Sequence, residues 1–288
     1  MSRIGWCVLA LVAIGPLRGD EPQLELRRVT NSIGMELIEL PSGTFTRGAS
    51  SNDADAEEDE FPVAEIRLDG NRWLGKYEVT QQQFRKVLGF NPAWFGPRGP
   101  ARGLIGNVAT DDWPIDNASW KDAVEFCRKL SELGEEKQAG RVYRLPTESE
   151  WEYACRAGTT SRYSCGEHLR PRDACFGDLS QQAHPRPVGS YPANPWGFQD
   201  LHGNVWEWCA DRYSPEAYAN PSLSPSEEIP GSTARVVRGG DWRASGAYCR
   251  SSNRDLTRES RRDVGNGFRV LCEVRKGEDS GSNVSGSK

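Results

Sequence analysis

The chain has 288 residues, of which 36 % are hydrophobic, so it is long and apolar enough to bury the core of one large domain. Its 36 lysines and arginines are outnumbered by 41 aspartates and glutamates, which gives a net charge of −5. No cluster of basic residues could neutralise a run of phosphates, so the sequence argues against nucleic acid as a partner.

The N-terminus has the pattern of a secretion signal. A basic start is followed by an apolar run at residues 4–14, which is too short to cross a bilayer comfortably as a helix. The pattern predicts a signal peptide at residues 1–19 and a mature chain that starts near Asp20 and is secreted or periplasmic; a buried core helix is the alternative. Because Trp6 precedes Cys7, where a lipoprotein signal needs a small residue, we expect no membrane anchor after cleavage.

Composition divides the rest of the chain. We expect a linker at residues 20–30, one domain at residues 31–274, and a tail at residues 275–288 that is too polar to fold. Residues 50–60 are acidic and have no apolar period, which predicts a solvated loop, with a calcium cluster as the sharper alternative.

Capping boxes and apolar periodicity predict helices that begin after three polar residues. The boxes are Thr80 with Gln83, Ser119 with Asp122, and Thr147 with Glu150. Short strands are predicted at residues 37–40, 63–68, 235–238 and 267–274. The remaining segments are irregular and hold most of the 30 glycines, 18 prolines and 10 tryptophans. This predicts a fold with little regular secondary structure, in which ions, disulfides and buried aromatic side chains organise irregular backbone.

A series of short motifs carries a family resemblance. In chain order they are Gly34-Met35-Glu36-Leu37, Gly75-Lys76-Tyr77-Glu78-Val79-Thr80, the Ser119 helix, Arg144-Leu145-Pro146-Thr147-Glu148-Ser149-Glu150-Trp151-Glu152-Tyr153, Gly203-Asn204-Val205-Trp206-Glu207-Trp208, Arg238-Gly239-Gly240 and Gly267-Phe268-Arg269. Together they resemble the formylglycine-generating enzyme (sulfatase-modifying factor) family over residues 31–274. The resemblance implies a single α+β domain with a C-type-lectin-like core.

The resemblance also implies a reaction. The family oxidises a cysteine of an unfolded sulfatase to formylglycine with molecular oxygen and one copper(I) ion held between two cysteines, which lie five residues apart shortly after Arg-Gly-Gly. In this chain Cys249 matches the second cysteine, but Ala244 falls on the first and has no donor atom. Asp241 stands where active members carry serine, in the pocket that also holds Trp206. Since copper(I) needs soft sulfur ligands, the copper site is expected to be incomplete.

Two structural features follow from the family only. It implies a structural Ca²⁺ site at Asp200, Gly203, Val205 and Glu207, for which the alternative is a tight turn packed on tryptophans. It also implies a disulfide between Cys127 and Cys272, although Cys272 lies two residues later than the family's cysteine.

The histidines offer little for other chemistry. The three histidines, His168, His184 and His202, lie in loops without helical pairing, so a non-haem iron site is not expected and each is interpreted as a surface loop residue. Cys249 could be a lone reactive thiol, a disulfide partner or a small buried apolar residue.

Three functions remain open. The chain could be an active sulfatase-modifying oxidase, a different enzyme on the same scaffold, or an exported module that recognises a sulfatase or other exported protein, a peptide or a glycan. Ala244 favours the second and third of these.

Overall fold

The computed structural model describes residues 26–177, 179–180, 183–220 and 233–275. The predicted signal peptide lies outside the described residues, as does the tail from residue 276 onward. In the part of the chain that is described, no helix is both long and apolar enough to cross a membrane.

The described residues form five α-helices. These are α1 (Gln81–Leu88), α2 (Arg102–Ile105), α3 (Trp120–Glu132), α4 (Gly134–Gln138) and α5 (Glu148–Arg156). All three predicted capping boxes are confirmed, because Thr80, Ser119 and Thr147 each accept a hydrogen bond from the backbone three residues on, and the side chain there reaches back to the cap. The polar caps therefore fix where α1, α3 and α5 begin.

The strands are short and form three sheets. They are β1 (Arg28–Thr30), β2 (Glu36–Leu40), β3 (Gly43–Arg47), β4 (Ala64–Leu68), β5 (Arg72–Gly75), β6 (Arg141–Arg144), β7 (Trp206–Arg212), β8 (Ala234–Arg238), β9 (Asp255–Arg258), β10 (Asn266–Gly267) and β11 (Leu271–Val274). The sheet orders are β1-β2-β5-β11-β6, β10-β7-β8-β9 and β3-β4. The first sheet brings the last strand, β11, between β5 and β6, so both ends of the domain close on one sheet.

The strand predictions are confirmed at β2, β4 and β8, and two assignments need correction. Residues 267–274 do not form one strand: β10 and β11 are separated by a segment in which Arg269 is buried and bonds Glu207. Residues 28–30, assigned to a linker, form β1, because Val29 packs against the core and its backbone pairs with β2.

The acidic segment is only in part the solvated loop that was expected, because Asp55, Glu57 and Glu58 are exposed but Asp59 and Glu60 are buried. Glu60 is fully buried and accepts hydrogen bonds of 2.6 and 2.8 Å from Arg250, which also bonds Asp53 at 3.1 Å. Asp59 is buried against Arg254. Buried carboxylates persist only when they are paired, so these ion pairs hold the segment onto the loop that follows Cys249.

Aromatic rings fill the main core between α1, α3 and the Gly-Phe-Arg segment. The rings of Phe84 and Phe126 stack with centroids 5.9 Å apart, and Phe268 meets Phe126 edge to face at 5.4 Å. Each of these fully buried side chains contributes about 1.5–3 kcal/mol through burial.

The same core cluster holds both cysteines of the expected disulfide. Cys127 on α3 and Cys272 on β11 are buried but are not joined in the structure. β6 pairs with β11 and packs on α3, so the two thiols lie on elements that flank the same strand. The bridge stays a prediction.

Candidate functional site

The loop after β8 brings together the two positions that the copper site would use. Gly239 and Gly240 have left-handed backbones, with φ of 97° and 76°, which turn the chain sharply out of the sheet. A Cβ atom on Gly240 would lie 2.5 Å from the Cys249 Sγ and 3.4 Å from the Ala244 Cβ. Ala244 and Cys249 therefore flank the same point, and only Cys249 presents a sulfur there.

Cys249 is fully buried at the end of a 3₁₀ turn, Gly246–Cys249. Burial raises the pKa of its thiol far above the usual range, and Asp241 raises it further. The raised pKa means that the free thiol is not an activated nucleophile, whereas a bound metal ion would displace its proton. The structure thus supports the interpretation of Cys249 as a buried residue rather than an activated one.

The Asp241 carboxylate is committed to its own loop. Its Oδ1 accepts the backbone N–H groups of Arg243 and Ala244 at 2.8 and 3.0 Å, and its Oδ2 pairs with the Arg243 guanidinium, whose Nε lies 3.0 Å away. Asp241 therefore closes the turn instead of presenting a charge to an open pocket.

Trp206 lies next to this loop at the start of β7. Its backbone N–H donates to the Gly265 carbonyl at 2.7 Å. Because Gly265 has no side chain, there is room beside it for the Asp241 carboxylate. The Trp206 ring meets Tyr248 edge to face with centroids 6.4 Å apart, and Tyr248 is exposed. The two predicted pocket residues thus lie on either side of Gly265.

His202 is a buried part of the site, and its interpretation as a surface residue is wrong. Its Nδ1 lies 2.8 Å from the Cys249 carbonyl oxygen, which can only accept, so Nδ1 carries the proton and donates. Its Nε2 then accepts from the Ser164 N–H at 3.0 Å, with the Ser164 hydroxyl at 2.9 Å. Burial lowers the pKa of His202 to about 4, so the ring is neutral. It ties Ser164 and the adjacent Cys155 thiol, 3.7 Å from Nε2, to the Cys249 loop.

Sequence reasoning missed this role because the contacts are distant along the chain. Ser164 lies 38 residues from His202 and Cys249 lies 47 residues away. The sequence did hold one local signal, because His202 directly precedes Gly203. In the structure Gly203 has a φ of 99° and forms a tight turn. His184 is likewise not a bare surface residue, since it stacks on Trp113 with centroids 4.8 Å apart, whereas His168 is exposed as expected.

A cavity of about 440 Å³ adjoins His202. Ser164, Asp173, Phe198 and Asp200 contribute to its lining. Its walls combine apolar surface with hydrogen-bond acceptors, which is the usual make-up of a binding pocket.

The residues predicted to bind calcium have mixed surroundings. Asp200 Oδ2 accepts the Gly189 N–H at 2.6 Å, whereas its buried Oδ1 has no hydrogen-bond partner. Glu207 is paired with Arg269 at 2.6 and 2.7 Å and also accepts from the Trp151 indole at 3.0 Å. Only Asp200 therefore offers an uncommitted carboxylate oxygen.

The neighbouring turn is tightly packed. A side chain at Gly203 would lie 2.2 Å from the Cys175 carbonyl oxygen, so glycine is required there. Glu78 is buried nearby and accepts from the Asn204 amide at 3.0 Å; burial raises its pKa, and Asp200 raises it further. Glu78, Asp200 and Glu207 thus lie around the buried Arg269 guanidinium, and the raised pKa of Glu78 favours its neutral form. Within the described ranges, no group of three or more His, Cys, Asp or Glu side chains is arranged to hold a metal by itself.

Comparison with known proteins places this arrangement in context. The model of the sulfatase-modifying factor enzyme 1-like domain matches residues 25–274. The formylglycine-generating enzyme of Thermomonospora curvata is 29 % identical, over 77 % of this chain and 88 % of its own. Hercynine oxygenase of Mycolicibacterium smegmatis is 28 % identical, over 82 % of this chain and 60 % of its own. The solved structure of PvdO from Pseudomonas aeruginosa superposes with a TM-score of 0.72 at 26 % identity, over 86 % of this chain and 98 % of that one.

Proposed function

The chain belongs to the sulfatase-modifying factor enzyme family and has its α+β, C-type-lectin-like fold, and from this premise we propose that it is an exported binding protein without the family's copper chemistry. The similar proteins are named for different activities, which is consistent with one fold that carries different functional sites. The choice among functions therefore rests on the residues of the site.

The observation that carries the proposal is the pairing of Ala244 with Cys249. Both flank the space beside Gly240, so the loop keeps the approach that a two-sulfur site requires. A methyl group offers no electron pair, so Cys249 is the one sulfur of this pair of positions, and it is buried. A soft ion held by one sulfur instead of two loses most of its affinity.

Cys209 and Cys155 are both committed to other contacts. Cys209 lies on β7 in a different core cluster, and its thiol is directed to the Glu207 carbonyl at 4.0 Å. The Cys155 thiol lies against His202 and Ser251. Burial raises the pKa of both thiols, which keeps them protonated. Cys175 also lies close enough to Cys249 to raise the pKa of its thiol, so a second sulfur would have to come from Cys175 or from the substrate itself.

Calcium is proposed as a structural ion of the binding protein. Asp200 would bind through its unpartnered Oδ1, Gly203 and Val205 through backbone carbonyls, and Glu207 through its carboxylate. The buried Asp200 Oδ1, which has no hydrogen-bond partner, supports a cation at this point. Its role would be to fix the turn that carries His202.

Export and partner follow from the sequence pattern. The apolar run after the basic start supports a mature protein that begins near Asp20 and works outside the cytoplasm. The proposed ligand is an exported polypeptide, such as a sulfatase chain, or a glycan.

The first test asks whether the protein converts a sulfatase-type cysteine. The purified protein is incubated with copper(I), oxygen and a labelled Cys-Thr-Pro-Ser-Arg peptide, and mass spectrometry looks for formylglycine. No conversion is expected, and Cys249→Ala should behave identically. Conversion that disappears in Cys249→Ala would show that Cys175 or the substrate cysteine supplies the missing sulfur, and would overturn the proposal.

A matched gain-of-site variant completes the test. Ala244→Cys places a second sulfur beside Gly240. Position 244 is half-buried, so it accommodates the slightly larger side chain. This variant is expected to bind copper(I), which identifies the missing ligand as the reason for inactivity. If Ala244→Cys binds no more copper than the unaltered chain, the loop has lost the geometry as well, and the explanation by a single missing ligand is wrong.

A further inference from the structure

A second and larger cavity lies at the end of the β3–β4 hairpin. Its volume is about 830 Å³, within the range of roughly 300–1,000 Å³ typical of ligand pockets. It is lined by residues that follow β3, by residues that precede β4, and by the C-terminal end of α5. It is therefore built from different elements than the Cys249 loop.

Apolar side chains form the wall of this cavity, and the charged side chain in its lining is already hydrogen-bonded. Ala49, Phe61, Pro62 and Val63 supply apolar surface, and the Val63 side chain is 47 % exposed at the mouth. Arg156 is the charged residue of the lining, but its Nε bonds Glu152 at 2.9 Å and its Nη2 bonds the Gly48 carbonyl at 2.8 Å. The interior thus suits an apolar group and offers no free charge to an ionic one.

The rim of the cavity is acidic. Thr46 lines the cavity and pairs with Glu65 across the hairpin, so the exposed Glu65 side chain stands beside it on the same face. Glu57 and Glu58 are exposed just before the lining segment that begins at Phe61. The nearest basic side chain along β4, Arg67, lies farther from the cavity and beside Asp69. Exposed carboxylates thus lie beside the apolar mouth at Glu65 and close to it along the chain at Glu57 and Glu58.

The strand that starts at the cavity has an open edge. β4 begins at Ala64, directly after Val63, and β3 is its only strand partner among the described residues. An unpaired strand edge offers backbone N–H and C=O groups to an added strand. A ligand in extended conformation could bond this edge while placing a side chain in the cavity.

We propose that the cavity and the adjoining edge of β4 form a docking site for an extended peptide with an apolar side chain flanked by lysine or arginine. The apolar side chain covers Val63 and Phe61, and the flanking cations face Glu65 and Glu58. The proposal rests on the proposed binding function and gives it a site that is independent of Cys249.

The test uses two defined probes. Fluorescein-labelled Gly-Lys-Leu-Phe-Leu-Lys-Gly and its counterpart with glutamate in place of both lysines are titrated with the full chain, and anisotropy reports binding. The lysine peptide is expected to bind about tenfold more tightly at low salt, and the difference should shrink as salt screens the rim charges. Hydrogen exchange should slow in residues 61–68 when the lysine peptide is bound.

Three variants locate the site. Val63→Asp places a charge in the mouth and should weaken binding about tenfold, whereas Glu65→Lys should reverse the preference between the two peptides. Val108→Asp is the control, because Val108 is 55 % exposed and is not part of the lining, and it should bind as the unaltered chain does. Equal affinity for both peptides, or unchanged binding by Val63→Asp, overturns the docking site. Neither outcome concerns formylglycine formation, so the proposed function would still stand or fall by its own assay.

Discussion

Replacing Arg254 by methionine removes one cation from the buried charge network beneath the acidic segment. Arg254 is 2 % exposed and bonds Glu148 at 2.6 and 3.1 Å and the Asp59 carbonyl at 2.9 Å. Removing one partner of a buried ion pair typically costs about 3–5 kcal/mol, because the other charge stays buried. In a domain of this size that loss lowers Tm by roughly 6–20 °C.

The pH dependence follows from the Glu148 carboxyl. Burial raises the pKa of Glu148, but Arg254 and Arg238 outweigh this effect and hold the pKa below its usual range. A carboxyl whose pKa is lower in the folded protein than in the unfolded chain adds stability above the unfolded pKa. This stability is lost as pH falls through the folded pKa. The Tm difference between Arg254→Met and the unaltered chain should therefore be largest near neutral pH and should shrink below about pH 4.

Calorimetry or thermal circular dichroism measures the effect, with two companions. Arg128→Met is the control, because Arg128 is half exposed on α3 and its pairs with Glu125 and Glu132 are screened by solvent, so Tm should change by about 1 °C or less. Adding Glu148→Gln to Arg254→Met should restore only part of the loss, because the charge that Arg254 neutralised is removed but Arg238, 3.1 Å from Glu148, loses a partner as well. If Arg254→Met has the same Tm as Arg128→Met, the buried charge network does not hold the acidic segment in place.

Three other outcomes are expected. EDTA should lower Tm by about 5 °C or more if the Kd of calcium at Asp200 lies well below the free calcium concentration. Asp200→Asn should abolish this sensitivity. An unchanged Tm together with metal-free protein by elemental analysis would argue against the ion. Non-reducing peptide mapping of exported protein should join Cys127 to Cys272, a loop of 145 residues worth about 4 kcal/mol or more, whereas a free Cys127 thiol would refute the bridge. Mass spectrometry of exported protein should find a chain that begins near Asp20, and an intact N-terminus would contradict export by signal cleavage.

Local signals in the sequence predicted the elements that local interactions decide. The capping boxes at Thr80, Ser119 and Thr147 involve residues three apart, and all three form. The acidic segment was assigned to solvent because its partners are remote: Arg250 lies 190 residues from Glu60. Charge pattern alone cannot distinguish a solvated carboxylate from one that meets a buried guanidinium in the folded chain.

The candidate site divides in the same way. The family resemblance implied that Ala244 and Cys249 belong to one site, and the structure brings them together beside Gly240. The commitment of Asp241 to Arg243 and the burial of His202 were not foreseen, because each depends on backbone groups that a loop presents only after folding. The pairing of Glu207 with Arg269 required β10 and β7 to be placed side by side.

Copper(I) affinity measured in competition with a chelator tests the central claim most directly. One thiol facing a methyl group should hold no copper against the chelator, so the unaltered chain is expected to remain metal-free while Ala244→Cys retains one ion per chain. Stoichiometric copper on the unaltered chain, lost on Cys249→Ala, would contradict the account.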